Sequence, residues 1–382
     1  MPGFSNQFPK VAFLVLALIS LAHLNAWSHE RLIRVGIVPQ ADSFVFTVQG
    51  HYQTLDFLGR PKNLVDGKTY TVKPSAKLLS LGRWTLPAKA WLKSQDPRSA
   101  LWIGGRRYPG DFLVLLNPNK TVTGIEIIGI ETYLLGVVGH EMDASWPLEA
   151  LKAQAVVART FAYFQLEQSH PHGYDLGDDA GSQVYGGVNQ TPKNIILAVH
   201  ETKGEVLGYQ GKLLSVYYHS CCGGHTADAG WVWGFKNTPR PLRGVRDPYC
   251  KFSPYYRWKV FFRSDEIKAA LESRRLIGGA LKFFKIGSRK YDYAKNFKAQ
   301  IGDTPLSVDA NRFRLALGAS SLKSVRIFSI KREAGGIEFS GGGSGHGVGL
   351  CQWGARGQAM RGRSYEKILK FYFHGSVLSV VE

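Results

Sequence analysis

A change of hydrophobic period near residue 131 constrains the fold of this chain more than any other feature. Residues 31–130 alternate between apolar and polar side chains over short segments, which turn signals such as Asp66-Gly67 separate, and this predicts β-strands. After residue 131 the period is helical, with one stripe through Leu148, Leu151, Ala155, Ala158 and Ala162. We therefore predict an α+β fold of mostly short antiparallel strands, with a central helix pair at 131–142 and 147–168 and a C-terminal helix at 365–373.

Composition and pattern divide the chain into five regions. The 382 residues, 44% of them apolar, are enough to bury a sizeable core. We predict a signal peptide at 1–28, an N-terminal β-rich region at 29–125, a core at 126–242, a basic insertion or docking region at 243–335, and a glycine-rich loop and helix at 336–382 that complete the core. Residues 243–300 contain 15 Lys and Arg against 5 Asp and Glu, and they supply over half of the net charge of +19.

The first residues predict export. The apolar run at 11–22 is too short to span a hydrocarbon core of about 30 Å as a helix. It is typical of a secretory signal, and Ala26-Trp27-Ser28 has the small-x-small pattern of a cleavage site. The alternative is an uncleaved membrane anchor. Either way the rest of the chain is expected in the periplasm, in the cell wall or outside the cell, so the positive charge would face an anionic membrane surface or an acidic polymer and not nucleic acid.

Glu141 is the first candidate catalytic residue. It ends a largely apolar helix beside a turn, a position in which a partly buried carboxyl can act as a general acid. Asp143 would point about 200° away on the same helix, and Glu131 would lie about 15 Å away along the axis. This segment therefore holds no second carboxylate at the spacing of about 5–10 Å that glycosidases use. The alternative is a solvated acid at a helix end.

A cluster of histidines and cysteines is the second candidate site. His219, Cys222, His225 and Cys250 could form a closed tetrahedral zinc site. Because the chain is expected to be exported, a disulfide between Cys222 and Cys250 is a competing interpretation. Unligated buried thiols are another, and a nucleophilic Cys221 or Cys222 beside His219 is a further one.

The third candidate is the glycine-dense segment around His346. Its glycines do not follow the order of a P-loop, and the Lys-Ser/Thr pair is missing, which argues against nucleotide binding. Glycines let the backbone approach a bulky ligand closely. Gln352 offers an amide for hydroxyl groups and Trp353 an indole face for a sugar ring. The alternative is a glycine-rich turn with a structural histidine.

Taken in order, these segments resemble the stage II sporulation protein D (SpoIID) family, which is related to the LytB amidase enhancers. The matching stretches are IETYLLGVVGHEMDASWPLEALKAQAVVARTFAY from residue 130, SQVYGGV from 182, YHSCCGGHTADAGWVWGF from 218 and GHGVGLCQWGARGQAMR from 345. The resemblance covers nearly the whole chain after the signal, apart from residues 243–335. Cys351 stands where the family pattern usually has serine.

The resemblance implies a lytic transglycosylase of peptidoglycan with Glu141 as the single acid/base group. Such an enzyme needs no second carboxylate, because the C6 hydroxyl of muramic acid attacks the anomeric carbon and forms a 1,6-anhydro end. It implies that Gln183, Tyr185, His346 and Gln352 line the cleft. It also implies a zinc ion at the His219/Cys222 cluster, with His225 and Cys250 as the conditional ligands.

Two other functions stay open. The relation to LytB allows a non-catalytic cell-wall-binding protein that stimulates an amidase, in which Glu141 is structural. A metallopeptidase that uses the zinc is the third hypothesis. In each case the expected partners are peptidoglycan strands, with an anionic wall or membrane surface contacting residues 243–300.

Overall fold

The computed structural model describes residues 30–168, 170–178, 181–272 and 279–381. The predicted signal peptide at 1–28 lies outside the described residues. The α+β prediction is confirmed, because short and mostly antiparallel strands surround a central group of helices. No helix in the described part of the chain is long and apolar enough to cross a membrane.

The N-terminal region consists of twelve strands. They are β1 (Leu32–Ala41), β2 (Phe44–Gln49), β3 (Tyr52–Leu55), β4 (Pro61–Leu64), β5 (Thr69–Ser75), β6 (Leu78–Leu81), β7 (Trp84–Leu86), β8 (Lys89–Ser94), β9 (Ala100–Ile103), β10 (Arg106–Tyr108), β11 (Asp111–Leu116) and β12 (Val122–Gly129). Burial alternates along β2 and β5, so each strand turns one face to the core as the sequence period predicts.

These strands form two sheets. One has the order β13-β1-β12-β11-β8-β3-β4, in which the two-residue strand β13 (Leu176–Gly177) runs parallel to β1, and the other has the order β10-β9-β2-β5-β6-β7. The strand β12 pairs along its length with β1 and β11 and leads directly into the first helix. Glu141 is thus attached to the sheet through one continuous segment.

The structure describes eight α-helices, and the first, second and last of them match the positions predicted at 131–142, 147–168 and 365–373. The eight helices are α1 (Ile130–Glu141), α2 (Leu148–Leu166), α3 (Lys193–His200), α4 (Ala229–Trp233), α5 (Ser264–Glu272), α6 (Ala310–Leu317), α7 (Gln352–Ala359) and α8 (Tyr365–Tyr372), with a 3₁₀ turn at Arg240–Leu242. The helix α2 packs against α1, α3, α7 and α8, which explains why both of its faces are apolar. Its fully buried Arg159 forms a two-pronged ion pair with Glu131 of α1.

The helix α8 begins at Tyr365 as predicted, and a side chain from another helix holds its first turn. Ser364 is the N-cap residue, but its side chain makes no capping hydrogen bond. The Tyr365 N–H donates instead to Glu149 Oε2 at 2.7 Å. The first turn of α8 is therefore held by a carboxylate from the start of α2, which ties the C-terminal helix to the core.

The remaining strands form small sheets. They are β14 (Glu205–Tyr209), β15 (Lys212–Leu213), β16 (Tyr218–His219), β17 (Trp258–Arg263), β18 (Leu281–Lys290), β19 (Tyr293–Ile301), β20 (Thr304–Asp309), β21 (Ile327–Glu333), β22 (Gly336–Gly341), β23 (Leu350–Cys351) and β24 (Val377–Val380). The sheets are β15-β14-β24, β17-β22-β21 and β18-β19-β20, and β16 pairs in parallel with β23. The predicted boundary between 335 and 336 falls in the turn between the paired strands β21 and β22.

Candidate active site and cysteine cluster

Glu141 is the last residue of α1, and two donors hold its side chain. Met142 adopts an extended conformation and ends the helix. The half-buried carboxyl group accepts hydrogen bonds at Oε1 from the Val184 N–H and from the Tyr218 hydroxyl, both at 2.9 Å. Within the ranges that the structure describes, Oε2 has no hydrogen-bond partner. One oxygen is therefore held by two donors, and the other accepts no hydrogen bond from the described residues.

Tyr218 was not predicted as a site residue, although it lies in a matching motif. Burial, with the Glu141 carboxyl beside it, raises the pKa of Tyr218 well above its ordinary value. The phenol thus stays protonated and donates to Glu141. The pairing of β16 with β23 places this tyrosine, opposite Leu350 in the register.

Gln352 supports Glu141 from the C-terminal segment. Its Nε2 donates to the backbone carbonyl of Glu141 at 3.1 Å, and the side chain is only 6% exposed. The sequence predicted Gln352 as a residue that contacts the substrate, and that role stays a prediction. Its amide is used to position the end of α1, so it is a positioning residue in this geometry.

The predicted substrate contacts of Gln183 and Tyr185 need correction, because both side chains lie in the core. Gln183 accepts from the Tyr133 hydroxyl at 3.2 Å and is 1% exposed. Tyr185 is fully buried and donates from its hydroxyl to Glu126 Oε2 at 2.8 Å. Between these two residues, the Val184 N–H donates to Glu141, while the side chains of Gln183 and Tyr185 pack into the core. A motif does not reveal which of its alternating side chains faces solvent.

His346 lies in an aromatic group and has no hydrogen bond to Glu141 among the described residues. Its Nδ1 accepts from the Val348 N–H at 3.1 Å. Its ring contacts those of Tyr217, His219 and Trp233. Burial lowers the pKa of His346 to about 3, so the imidazole is neutral. Tyr217 and His219 contact His346, whereas Tyr218 between them donates to Glu141. His346, which was predicted to line the cleft, therefore belongs to a different group of side chains from Glu141.

Glu126 is a buried carboxyl group that the sequence reasoning missed. It accepts from the Gly110 N–H at 2.9 Å and from the Tyr185 hydroxyl, and it is fully buried beneath the motif that contacts Glu141. Burial raises the pKa of Glu126 to about 7. An acid in an otherwise apolar β-strand was the available signal.

Replacing Glu126 with glutamine should flatten the pH dependence of stability between about pH 4.5 and 7. The native state holds the Glu126 proton more tightly than the unfolded chain, so ionisation penalises the native state, and stability is lost as the pH rises through this window. A shift from 4.5 to about 7 corresponds to about 3 kcal/mol at full ionisation. Urea unfolding at pH 5 and pH 8 measures the difference. Glu167→Gln at the exposed end of α2 is the control, and an unchanged pH slope in Glu126→Gln would contradict the assignment.

Four buried side chains form a possible metal site. One ligand atom from each of Cys222, Asp247, Cys250 and Cys351 lies within 4.8 Å of the others. All four cysteines of the chain are free. The Sγ atoms of Cys222 and Cys250 are 3.5 Å apart, and Tyr372 donates to Asp247 Oδ2 at 2.9 Å. Burial raises the pKa of both Asp247 and Cys351.

The donor set fits zinc. Three sulfurs and one carboxylate oxygen suit a tetrahedral ion with Zn–S distances of about 2.3 Å and a Zn–O distance of about 2.0–2.2 Å. Ligand atoms on one such ion lie within about 4 Å of each other, close to the separations found here. With four protein ligands the site would be closed, as structural zinc sites are.

The structure assembles only two of the four predicted ligands, Cys222 and Cys250. His219 instead donates from Nδ1 to the Val348 carbonyl at 3.0 Å, and its Nε2 is buried without a partner among the described residues. His225 Nδ1 lies 2.7 Å from the Thr226 carbonyl, and its ring stacks on Tyr291.

In the group of four side chains, Asp247 and Cys351 are present instead of the predicted ligands His219 and His225. The available signal for Cys351 was its departure from the serine of the family pattern. The same geometry argues against Cys221 as a nucleophile. The neighbouring thiols and burial raise the pKa of Cys221 to about 11, which disfavours the reactive thiolate.

Comparison with known proteins identifies the family. A family model described as "SpoIID: Stage II sporulation protein" matches residues 118–209, the segment that contains Glu141 and Val184. Stage II sporulation protein D of Bacillus subtilis (strain 168) is 30% identical over 270 residues, which cover 67% of this chain and 76% of that protein. The chain belongs to the SpoIID family.

Other relatives in this family cover different shares of the chain. An uncharacterized protein of Brachyspira hyodysenteriae is 31% identical over 352 residues, 92% of this chain and 93% of that protein. The amidase enhancer of Bacillus subtilis is 30% identical over 291 residues, which cover 64% of this chain but only 40% of the enhancer. The resemblance to SpoIID and the amidase enhancers is therefore confirmed.

Proposed function

We propose that this chain is an exported lytic transglycosylase that cleaves the glycan strands of peptidoglycan between N-acetylmuramic acid and N-acetylglucosamine. The observation that supports it best is the arrangement of Glu141. Val184 and Tyr218 both donate to Oε1, while Oε2 remains for a substrate. An acid/base group has to be held within hydrogen-bond reach of the atoms that exchange protons, and two donors on one oxygen provide that orientation.

In the proposed reaction Glu141 acts twice. Because Oε1 already accepts two hydrogen bonds, the catalytic proton resides on Oε2. Glu141 donates this proton to the glycosidic oxygen as the bond from that oxygen to the anomeric carbon breaks. The carboxylate then accepts the proton of the muramic C6 hydroxyl while that oxygen bonds to the anomeric carbon. The acid is regenerated, a 1,6-anhydro end forms, and no water is consumed.

The proposed cofactor is a structural zinc ion held by Cys222, Asp247, Cys250 and Cys351. When bound, the ion would connect three distant segments of the chain, those of Cys222, of Asp247 and Cys250, and of Cys351, and it would take no part in bond cleavage. Cys351 is the N-cap residue of α7, and its sulfur accepts from the Gly354 N–H at 3.3 Å. The next residue is Gln352, which holds the carbonyl of Glu141. The cluster would thereby stabilise one wall of the active site.

We propose that the protein is located outside the cytoplasmic membrane and that its basic segment at 243–300 adheres to the cell wall or to an anionic lipid surface. The strands β18 and β19 place Lys285 directly opposite Lys298, and both side chains are exposed. Like charges at opposed positions are unfavourable within a sheet. An anionic surface would relieve this repulsion.

Reversing these two charges tests the adhesion proposal. The double variant Lys285→Glu/Lys298→Glu should raise the dissociation constant for purified sacculi by about tenfold at low salt, and the difference should shrink as salt screens the charges. Sedimentation at two ionic strengths measures it. Turnover on soluble glycan separates adhesion from catalysis, and a large fall in that turnover would contradict the proposed division.

The second candidate function is a non-catalytic enhancer of a cell-wall amidase, which the relation to the amidase enhancer of Bacillus subtilis favours. Digestion of purified sacculi followed by mass spectrometry distinguishes the two. Release of fragments with anhydro-muramyl ends supports the transglycosylase. Binding to sacculi without fragments, together with faster release by an added amidase, would replace it with the enhancer.

A further inference from the structure

A cavity lies between the N-terminal sheet and the loop at 184–190, whose first residue, Val184, donates a hydrogen bond to Glu141. Its volume is about 620 Å³, and it is lined by Gln49, Trp102, Arg107, Asn189 and Gln190. Small-molecule sites usually have about 300–1,000 Å³, so the cavity is large enough for part of an oligosaccharide. Its lining combines an exposed aromatic ring with amides and one cation.

The strand register places the aromatic ring and the cation on one face of the sheet. Trp102 of β9 lies opposite Arg107 of β10 and opposite Thr47 of β2. Directly opposed residues share a face, and Gln49 shares it with Thr47 because side chains alternate along a strand. The indole is 37% exposed, yet its Nε1 donates to Gln49 Oε1 at 2.9 Å. The ring is therefore oriented without being covered.

The loop at 184–190 forms the other wall and is joined tightly to the sheet. The Val188 N–H donates to the Arg107 carbonyl at 2.7 Å, and the Arg107 N–H donates to Asn189 Oδ1 at 2.8 Å. Gly187 has a φ of +72°, and a Cβ there would lie 2.5 Å from the Arg107 carbonyl oxygen. Only glycine permits this approach, so the two walls form one rigid unit.

Among the residues that the structure describes, the hydrogen bonds of the Arg107 guanidinium all go to neutral oxygens. Its guanidinium donates to Gln49 Oε1 at 3.3 Å and to the carbonyls of Val188 and Arg98 at 3.3 and 3.0 Å. The adjacent Arg106 differs, since it forms an ion pair with Asp178. No carboxylate of the described residues forms an ion pair with Arg107, so its guanidinium can pair with an anionic ligand, and guanidinium groups bind carboxylates well. The same charge acts on the buried Glu126, where it lowers the pKa against the larger effect of burial.

The lining matches a carboxylate-bearing, N-acetylated sugar. A flat indole face offers a rigid apolar surface to a sugar ring. The amides of Gln49, Asn189 and Gln190 can donate to and accept from hydroxyl and acetamido groups. The carboxylate of such a ligand would pair with Arg107. A neutral sugar would leave that cation unpaired.

The cavity and Glu141 lie along one segment of chain. Val184 binds Glu141, and Gln190 lines the cavity six residues later, at most about 20 Å away. We propose that the cavity is a distal glycan subsite that binds a muramic acid residue through Trp102 and Arg107. The proposal rests on the function proposed above and specifies where the strand lies beyond the cleavage point.

Binding to the Glu141→Gln variant tests the subsite, because this variant should not consume its ligand. A soluble, stem-free GlcNAc–MurNAc oligosaccharide is titrated calorimetrically. Adding Trp102→Ala should raise the dissociation constant by about tenfold, and Trp102→Phe should restore part of the affinity. The matched control is Trp91→Ala, whose indole is 38% exposed on β8 and lies outside the cavity. It should leave the dissociation constant unchanged.

A second arm tests the carboxylate. A chitin oligosaccharide of equal length lacks the lactyl carboxylate and should bind the parent more weakly, and Arg107→Gln should abolish this preference. Thermal melting of each variant verifies folding. An unchanged dissociation constant in Trp102→Ala, or equal weakening by Trp91→Ala, would overturn the subsite.

These readouts separate the two proposals. If wild-type protein releases no anhydro ends but Trp102→Ala loses affinity, the proposed cleavage fails and the subsite stands. If anhydro ends form while Trp102→Ala binds like the parent, the subsite alone fails.

Discussion

Replacing Glu141 with glutamine is expected to reduce the release of anhydro-muramyl fragments from sacculi by about 10²–10⁴-fold, the usual contribution of general acid–base catalysis. Glutamine keeps the shape of the side chain and can still accept from Val184 and Tyr218. It cannot deliver or accept the catalytic proton. Binding to sacculi should be retained, because the loss affects the reaction and not the fold. Product analysis by mass spectrometry at several times measures the rate.

Two further variants sharpen this prediction. Tyr218→Phe removes one of the two donors to Oε1 and should lower the rate by about tenfold, since hydrogen bonds to charged groups contribute about 1.5–3 kcal/mol. Glu167→Gln changes an exposed glutamate at the end of α2 and should have no effect. Full activity in Glu141→Gln would exclude the proposed mechanism. Equal loss in the Glu167 control would indicate a general charge effect.

Loss of the cysteine cluster is expected to have the second largest effect, on stability. The purified protein should contain about one zinc ion per chain, and Cys222→Ser or Cys351→Ser should remove most of it. An ion present at a thousand times its dissociation constant stabilises the native state by about 4 kcal/mol. Each variant should therefore melt at a clearly lower temperature. Elemental analysis and thermal unfolding, with and without a chelator, measure both quantities.

Cys221→Ser is the matched control for the cluster. Cys221 is buried next to Cys222, but it lies outside the group of four ligand atoms, so its variant should keep the zinc. His219→Ala and His225→Ala should also retain the ion, in contrast to the ligand set that the sequence suggested. Zinc that disappears with the histidines and stays without Cys351 would contradict the assigned ligands.

Chelation also separates the proposed structural role from the metallopeptidase hypothesis. A closed four-ligand site leaves no position for a substrate or an activated water. Activity and folding should therefore be lost together when the ion is removed. Activity that disappears while the thermal transition stays unchanged would indicate a catalytic metal.

Local pattern was sufficient for most of the secondary structure. The stripe from Leu148 to Ala162 predicted α2, and the alternation in the first region predicted strands, because both periods reflect which face of an element is buried. The position of Glu141 at a helix end was also visible in the sequence. Its interpretation as an acid/base group came from the resemblance to the SpoIID family.

The partners of these residues could not be read from the sequence. Cys222 and Cys351 are 129 residues apart, and Tyr218 reaches Glu141 across 77 residues. The parallel pairing of β16 with β23 joins these segments, and its two-residue strands are too short to leave a periodic signal. Motif membership likewise did not distinguish the inward Gln183 and Tyr185 from a cleft residue, since that depends on what covers each side chain.

The amino-acid sequence alone established the α+β class, the boundaries of the central helices, the basic segment at 243–300 and the candidate glutamate. These features follow from composition, from short-range period and from motifs, all of which are local. The three-dimensional packing established which groups surround Glu141, which four side chains could share an ion, and where Trp102 and Arg107 meet the loop after Val184. Such contacts depend on how distant segments are covered and paired, and burial and strand register become defined only when the whole core assembles.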